Sequence, residues 1–350
     1  MNVKDCVALV EVTRGLIVES IHYGAFTVVD AAGRVLASAG NPELMTYPRS
    51  SMKPFQVLPF IEKGGDVAFN LTEQEIAMMC ASHSGTDLHY SVLMRMHEKI
   101  GLVEDDLACG VHWPGDAETR NAMLKAAQEP TPFRHNCSGK HTGMLAHAVM
   151  RGDAKLGYLD SQHPVQVSIR KALAEMVDME QDRMPLGIDG CSAPVYGIPL
   201  QNMAHAVARL ADPVSLSDER AAACRKITAA MMAHPEMVAG PGKFDTDLML
   251  AVKRKVFCKG GAEGYQIIGV MPDAIHRGSP GLGIAIKISD GDPHGRARTS
   301  VSLTLLSELG VLNKDELDRL ADYGNKPVKN WRKLDVGEIR SVFSVPQGIK

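Results

Sequence analysis

Aromatic residues supply only 5% of the chain, so a surface that stacks nucleic-acid bases has little to be built from. Charge of one sign is also missing. The formal net charge is −3, which leaves no basic field to attract nucleic acid or an anionic membrane. No uninterrupted apolar run reaches the length of a transmembrane helix. The start, Met1-Asn-Val-Lys-Asp-Cys6, lacks the basic region, the long apolar stretch and the small-residue cleavage site of a signal peptide. Seven cysteines, an odd number scattered through 350 residues, do not make a disulfide framework, and reduced thiols are expected. Without secretion, the formal glycosylation acceptors at Asn70 and Asn136 have no meaning. These absences predict a cytoplasmic protein that acts on a small molecule, with no nucleic-acid and no membrane partner.

What is present is an ordinary globular composition, 45% hydrophobic and 23% charged, long enough for one large domain or two closely packed lobes. Residues 7–38 are rich in Val, Ile and Thr and broken by turn residues. Asp30 to Gly33 read as a hairpin turn between strands at 26–29 and 34–37, within a short antiparallel meander. From Ser51 to about Ala233 the apolar spacing becomes helical, with helices expected at 73–80, 88–100, 118–128, 141–150, 165–177 and 217–233. Strand character returns at 255–259, 265–270, 282–289 and 339–345, interrupted by helices at 296–308 and 314–322. Strands at both ends with helices between predict an α/β (α+β) chain. One antiparallel sheet is built from both termini and flanked by helices, with an inserted helical lobe. The sheet lobe is placed at about 1–50 plus 240–350 and the helical lobe at about 51–239.

Ser50-Ser-Met-Lys53 falls where the extended segment turns into the first helix, at the expected mouth between the lobes. Residues three apart on a helix share a face, so Ser50 and Lys53 can meet, whereas Ser51 points elsewhere. A serine hydroxyl becomes a strong nucleophile when a neighbouring base takes its proton, and a lysine held neutral does that. The tetrad alone is cheap, because Ser and Lys are common.

Other segments are dense in glycine and reactive side chains: Cys80–Thr86, His135–Gly143, Gly187–Pro194, Gly240–Thr246 and Cys258–Gly264. Glycines let a backbone approach a ligand, and Ser, Lys, Asp and His supply nucleophiles, acids and bases. Gly139-Lys140 invites a phosphate-loop reading, but that motif needs glycine where Arg134 stands. Cys137 and Cys191, flanked by Lys140, His141 and Asp189, form either a zinc site, if their two turns meet, or a pair of buried structural thiols. His83 and His135, in polar loops, read first as hydrogen-bonded structural residues. Lys259 ends an apolar strand and precedes Gly260-Gly261. It is either an edge lysine that blunts aggregation or the late Lys-Gly of a Ser-x-x-Lys enzyme, with the Ser82 loop between.

Taken together, Tyr47-Pro-Arg-Ser-Ser-Met-Lys-Pro-Phe-Gln56, Cys80-Ala-Ser-His-Ser-Gly85, His135-Asn-Cys-Ser-Gly-Lys-His-Thr-Gly143, Gly187-Ile-Asp-Gly-Cys-Ser192 and Lys259-Gly-Gly-Ala-Glu-Gly264 resemble the Rhizobium-type (class 3) L-asparaginases. The resemblance spans nearly the whole chain. It implies one asparaginase-like domain of two lobes, with a fold similar to serine β-lactamases and bacterial glutaminases, and a homodimer. It also implies hydrolysis of L-asparagine to aspartate and ammonia by two Ser–Lys tandems, Ser50 with Lys53 and Ser82 with Lys259. Its zinc site maps onto Cys137, Lys140 and Cys191, and Arg49, Asp189 and His141 are then the candidates for holding the substrate. The rival readings are a glutaminase or another Ser-x-x-Lys acyl hydrolase such as an esterase or β-lactamase-like enzyme, and a non-catalytic metalloprotein that binds an amino acid.

Overall fold

A computed structural model describes residues 2–345 and divides the chain into two compact units. The first comprises residues 1–51, 198–215 and 248–350, and the second residues 52–197 and 216–247.

The first unit is built on an eight-stranded sheet whose pairings are all antiparallel. Its strand order is Lys326–Lys329, Asp335–Ser341, Val7–Arg14, Ile17–Asp30, Leu282–Ile288, Tyr265–Val270, Val256–Gly261, with Val35–Ala39 also paired to Ile17–Asp30. Both termini therefore contribute, as the alternation of strands and helices predicts. The hairpin turn is where the sequence places it: the Asp30 N–H donates to Arg34 O at 3.1 Å, and Gly33 takes a φ of 85°. Ile17–Asp30 is the organising strand. Its first half is largely exposed, while residues 24–30 are buried and pair with Leu282–Ile288. The strands Tyr265–Val270 and Leu282–Ile288 are buried at every residue, which is why they read as mostly apolar without alternation, interrupted only by Gln266 and Lys287. Helices Leu200–Ala211 and Ala297–Glu308 pack on the sheet. The first approaches closely because Gly283 has no side chain: a Cβ there would lie 1.9 Å from Ala204 O.

Two expectations shift. The last strand is Asp335–Ser341, not 339–345, and it pairs with an edge strand, Lys326–Lys329, that was not expected. Gly337 sits inside it against Thr13 O, so a residue that reads as a turn serves close packing instead. Pro327 and the flanking lysines blunt that sheet edge.

The second unit is helical. Helix Lys53–Glu62 is buried from Lys53 to Ile61 and packs against Ser138–Arg151, Pro164–Val177 and Asp218–Ala233. A helix apolar on all sides belongs at the centre of such a bundle. Pro54 fits its first turn, where no N–H partner is needed. Thr72 and Thr86 close capping boxes on helices Glu73–Met79 and Asp87–Ile100, which fixes where the Ser82 loop leaves the first and enters the second. Among the described residues, no helix is long and apolar enough to cross a membrane.

Candidate active site

In the first unit, Arg49–Met52 form a 3-10 turn whose first residue, Arg49, holds a left-handed φ of 53°. That conformation costs a non-glycine residue on the order of 1–3 kcal/mol and clusters at functional positions. Ser50 is half-buried. Ser51 is fully buried, and its Oγ donates to Lys259 O at 2.8 Å. Its only hydroxyl proton is thus committed to a carbonyl, which favours Ser50 as the hydroxyl available for chemistry. Strand Val256–Gly261 reaches this turn because Gly261 has no side chain; a Cβ there would lie 2.4 Å from Pro48 O and 3.0 Å from Ser51 Oγ. Lys259 is buried, and its Nζ donates to Gly260 O at 2.7 Å.

In the second unit, Lys53 opens the central helix and is 1% exposed. Its Nζ lies 2.5 Å from Ala81 O, 2.9 Å from Ser82 Oγ and 3.3 Å from Asn136 O. An ammonium has three protons and can satisfy all three acceptors. A neutral amine has two, and carbonyls can only accept. With both carbonyls served, its lone pair is left on the Ser82 side, and the Ser82 hydroxyl then donates to it. Lys53 and Ser82 are therefore arranged to exchange a proton along a 2.9 Å contact. The Ser82 loop is fixed by the Ser82 N–H, which donates to Val238 O at 2.8 Å, and by His83. His83 Nδ1 accepts from the Gly85 N–H at 3.1 Å, and its Nε2 lies 2.9 Å from Ser138 Oγ. Burial, with His89 and Lys53 nearby, pushes His83 well below its ordinary range, so it is a neutral, hydrogen-bonded residue.

The thiols also meet in this unit. Cys137 precedes helix Ser138–Arg151. Cys191 lies in the loop between strands Leu186–Ile188 and Pro194–Tyr196, closed by Asp189 N–H to Ala193 O at 2.9 Å. Lys140 Nζ donates to Cys191 Sγ at 2.8 Å. Cys137 is held well below the usual thiol range, first by a hydrogen bond from Cys191 and then, against the effect of burial, by the positive charges of Lys53 and Lys140. The Cys191 thiol is pushed up because it keeps the shared proton and is buried. Burial works against a charge on Lys140, but the two thiols outweigh it and raise its pKa. The pair reads as a Cys137 thiolate beside a Cys191 thiol and a Lys140 ammonium.

Two sulfurs and an amine are donors that suit Zn²⁺. Among the described residues no three His, Cys, Asp or Glu side chains gather as ligands, so Lys140 would have to act as the third donor. To bind there, Zn²⁺ would have to displace the proton of the Cys191 thiol and one proton of the Lys140 ammonium. Asp189 is half-buried, and its Oδ1 accepts from the Gly190 N–H at 2.7 Å. His141 is fully buried, with Nδ1 2.6 Å from the Tyr158 hydroxyl; burial and Lys140 hold it well below its ordinary range.

Residues 10–341 match the L-asparaginase II family. The chain belongs to that family. It is an amidohydrolase, as the motif resemblance implies. No curated relative is similar enough in sequence to align with it. Among solved structures, it is similar to Mglu in its native form, at 12% identity and a TM-score of 0.45, over 84% of this chain and 66% of that one. It is also similar to the probable glutaminase of Bacillus subtilis, at 14% identity and a TM-score of 0.39, over 82% and 88%. Likenesses this distant carry no conclusion about substrate. Within this L-asparaginase II chain the second unit joins Lys53 to Ser82 and Lys140 to Cys191, and the first joins Ser51 to Lys259. Sequence reasoning missed Asn136 as an acceptor for Lys53, because any residue type can offer a backbone carbonyl. It also missed His112, whose Nε2 lies 3.1 Å from Asn136 N; the polar run His112-Trp113-Pro114-Gly115 was the available signal.

Proposed function

We propose that the protein is an L-asparaginase working through an acyl-enzyme on Ser50. The observation that carries this reading is Lys53, buried, with two carbonyls on its N–H groups and its remaining position on Ser82 Oγ. Ser50 Oγ bonds to the side-chain amide carbon of asparagine while its proton passes by way of Ser82 Oγ to the lone pair of Lys53. The C–N bond breaks, and the departing nitrogen takes that proton by way of Ser82, leaving as ammonia. Water then attacks the ester, giving its proton back through the same pair and releasing aspartate. Lys259, which lies within strand Val256–Gly261 and not at its end as the sequence suggests, is the second lysine of the site. Backbone N–H groups at Ser50 and near Lys259–Gly261 are the proposed stabilisers of the oxyanion. Arg49, Asp189 and His141 are assigned to the α-amino and α-carboxylate ends of the substrate. Zinc would be held by Cys137, Cys191 and Lys140, and when bound it supplies a positive centre for the substrate's carboxylate. The family resemblance supports a homodimer.

The test is ammonia release from L-asparagine and, separately, L-glutamine by purified protein, with and without a chelator. Faster turnover of asparagine supports the reading; preference for glutamine makes the protein a glutaminase. Binding of asparagine without ammonia would favour the non-catalytic alternative. Loss of activity on chelation, restored by Zn²⁺, supports the metal assignment.

A further inference from the structure

The Lys53 amine is oriented by acceptors that differ in reach. Ala81 O is at 2.5 Å and Asn136 O at 3.3 Å. The longer contact is the one that a small displacement breaks. Asn136 lies between the 3-10 turn Pro132–Arg134 and helix Ser138–Arg151, and the peptide that carries its carbonyl is held on one side by the Cys137 N–H, which donates to His135 Nδ1 at 3.0 Å. On the other side of the Asn136 Cα the backbone is held by His112. The Asn136 N–H donates to His112 Nε2 at 3.1 Å, and Asn136 Oδ1 lies 3.3 Å from the same ring nitrogen.

The tautomer follows from the other side of the ring. His112 Nδ1 lies 2.7 Å from Trp113 O, and a carbonyl can only accept, so Nδ1 carries the proton. In the neutral ring Nε2 is then an acceptor, as the Asn136 N–H requires. The ring is also held in place. It packs against His135 with centroids 4.3 Å apart, and the segment carrying it is tied to the Ser82 loop by the Asp116 N–H donating to Ser84 O at 2.9 Å. A chain of contacts thus runs from Trp113 O through the imidazole to the Asn136 N–H, and across the Asn136 Cα to the carbonyl beside Lys53 Nζ.

We propose that His112 is a positioning residue for Lys53, acting through the backbone of Asn136. The inference rests on Lys53 being the base of the proposed amidohydrolase. It predicts an effect on the chemical step and little on substrate binding, because His112 touches the lysine only through the backbone.

The test compares H112Q, H112N and H112A with the unchanged protein by steady-state ammonia release and thermal denaturation. A glutamine amide oxygen reaches the place of Nε2 and can accept the Asn136 N–H. An asparagine amide reaches only the place of Nδ1. The expected result is a kcat about 10- to 100-fold lower in H112N and H112A, with KM within about twofold, and recovery to within about fivefold in H112Q. If H112A does not fold, the contrast between H112N and H112Q decides. The proposal is overturned by an H112N kcat within twofold of the unchanged protein, or by H112Q as impaired as H112N. Silence of the unchanged protein on both amides would remove the amidohydrolase reading and this inference with it. An active unchanged protein beside an equally active H112N removes the inference alone.

Discussion

Ser50 and Ser51 are chemically identical neighbours, and the hydrogen bond of Ser51 to Lys259 O separates them. S50A should abolish ammonia release. S51A should keep measurable turnover but lose about 1–2 kcal/mol of stability, read from a urea midpoint, because the buried hydrogen bond to Lys259 O is lost. Equal losses of activity in both would contradict the distinction. S82A removes the partner of the Lys53 lone pair and should lower kcat by about 100-fold or more, the usual range for a general acid or base. An S82A enzyme with normal kcat would show that the 2.9 Å contact is structural. The sequence reading sets Ser50 and Lys53 on one helix face, whereas Ser50 lies in the 3-10 turn Arg49–Met52 and Lys53 opens the helix that follows. The Lys53–Ser82 contact across 29 residues was not legible in the sequence, and neither was the Asn136 carbonyl, since both depend on how loops meet.

Helices and central strands were the most legible elements, because their periodicity and caps are written into a few consecutive residues. Helix Leu200–Ala211, with Leu200, Met203, Ala204, Val207, Leu210 and Ala211 buried, was not among the helices expected, and spacing does not say that it packs on the sheet. That packing depends on Gly283. G283A should cost at least about 2 kcal/mol, since the nearest atoms are backbone and cannot rotate away. A variant as stable as the unchanged protein in denaturant unfolding would refute the close approach. Helices Asp87–Ile100 and Ser138–Arg151 each bury two histidines. Burial lowers His97 and His147 to about 4 from an ordinary 6.5. Their folded-state values lie below the unfolded ones, so neither costs stability above pH 6.5. As pH falls from 6.5 to 4 the unfolded chain takes up protons that the folded protein resists, and each histidine then costs on the order of 3 kcal/mol. Urea unfolding at pH 7 and pH 4.5 should show this loss, reduced in H147F; an unchanged difference would contradict it.

For the whole molecule, near-neutral charge and scarce aromatics pointed to a small-molecule substrate, and the family match from residue 10 to 341 agrees with an amidohydrolase. The proposed homodimer predicts a solution mass near twice the 37.8 kDa of one chain by light scattering, and a monomer mass would remove it. The thiol pair was visible as two cysteines in glycine-rich turns, but the sequence could not show that Cys137, Cys191 and Lys140 share one charge arrangement. The central claim is that Ser50 forms the bond to the substrate. Peptide mapping by mass spectrometry, after reaction with a diazoketone analogue of asparagine, tests it directly. The account predicts one added mass, located on Ser50 within the peptide that carries Ser50 and Ser51. A label on Ser51, Ser82 or a cysteine, with Ser50 unmodified, would contradict it.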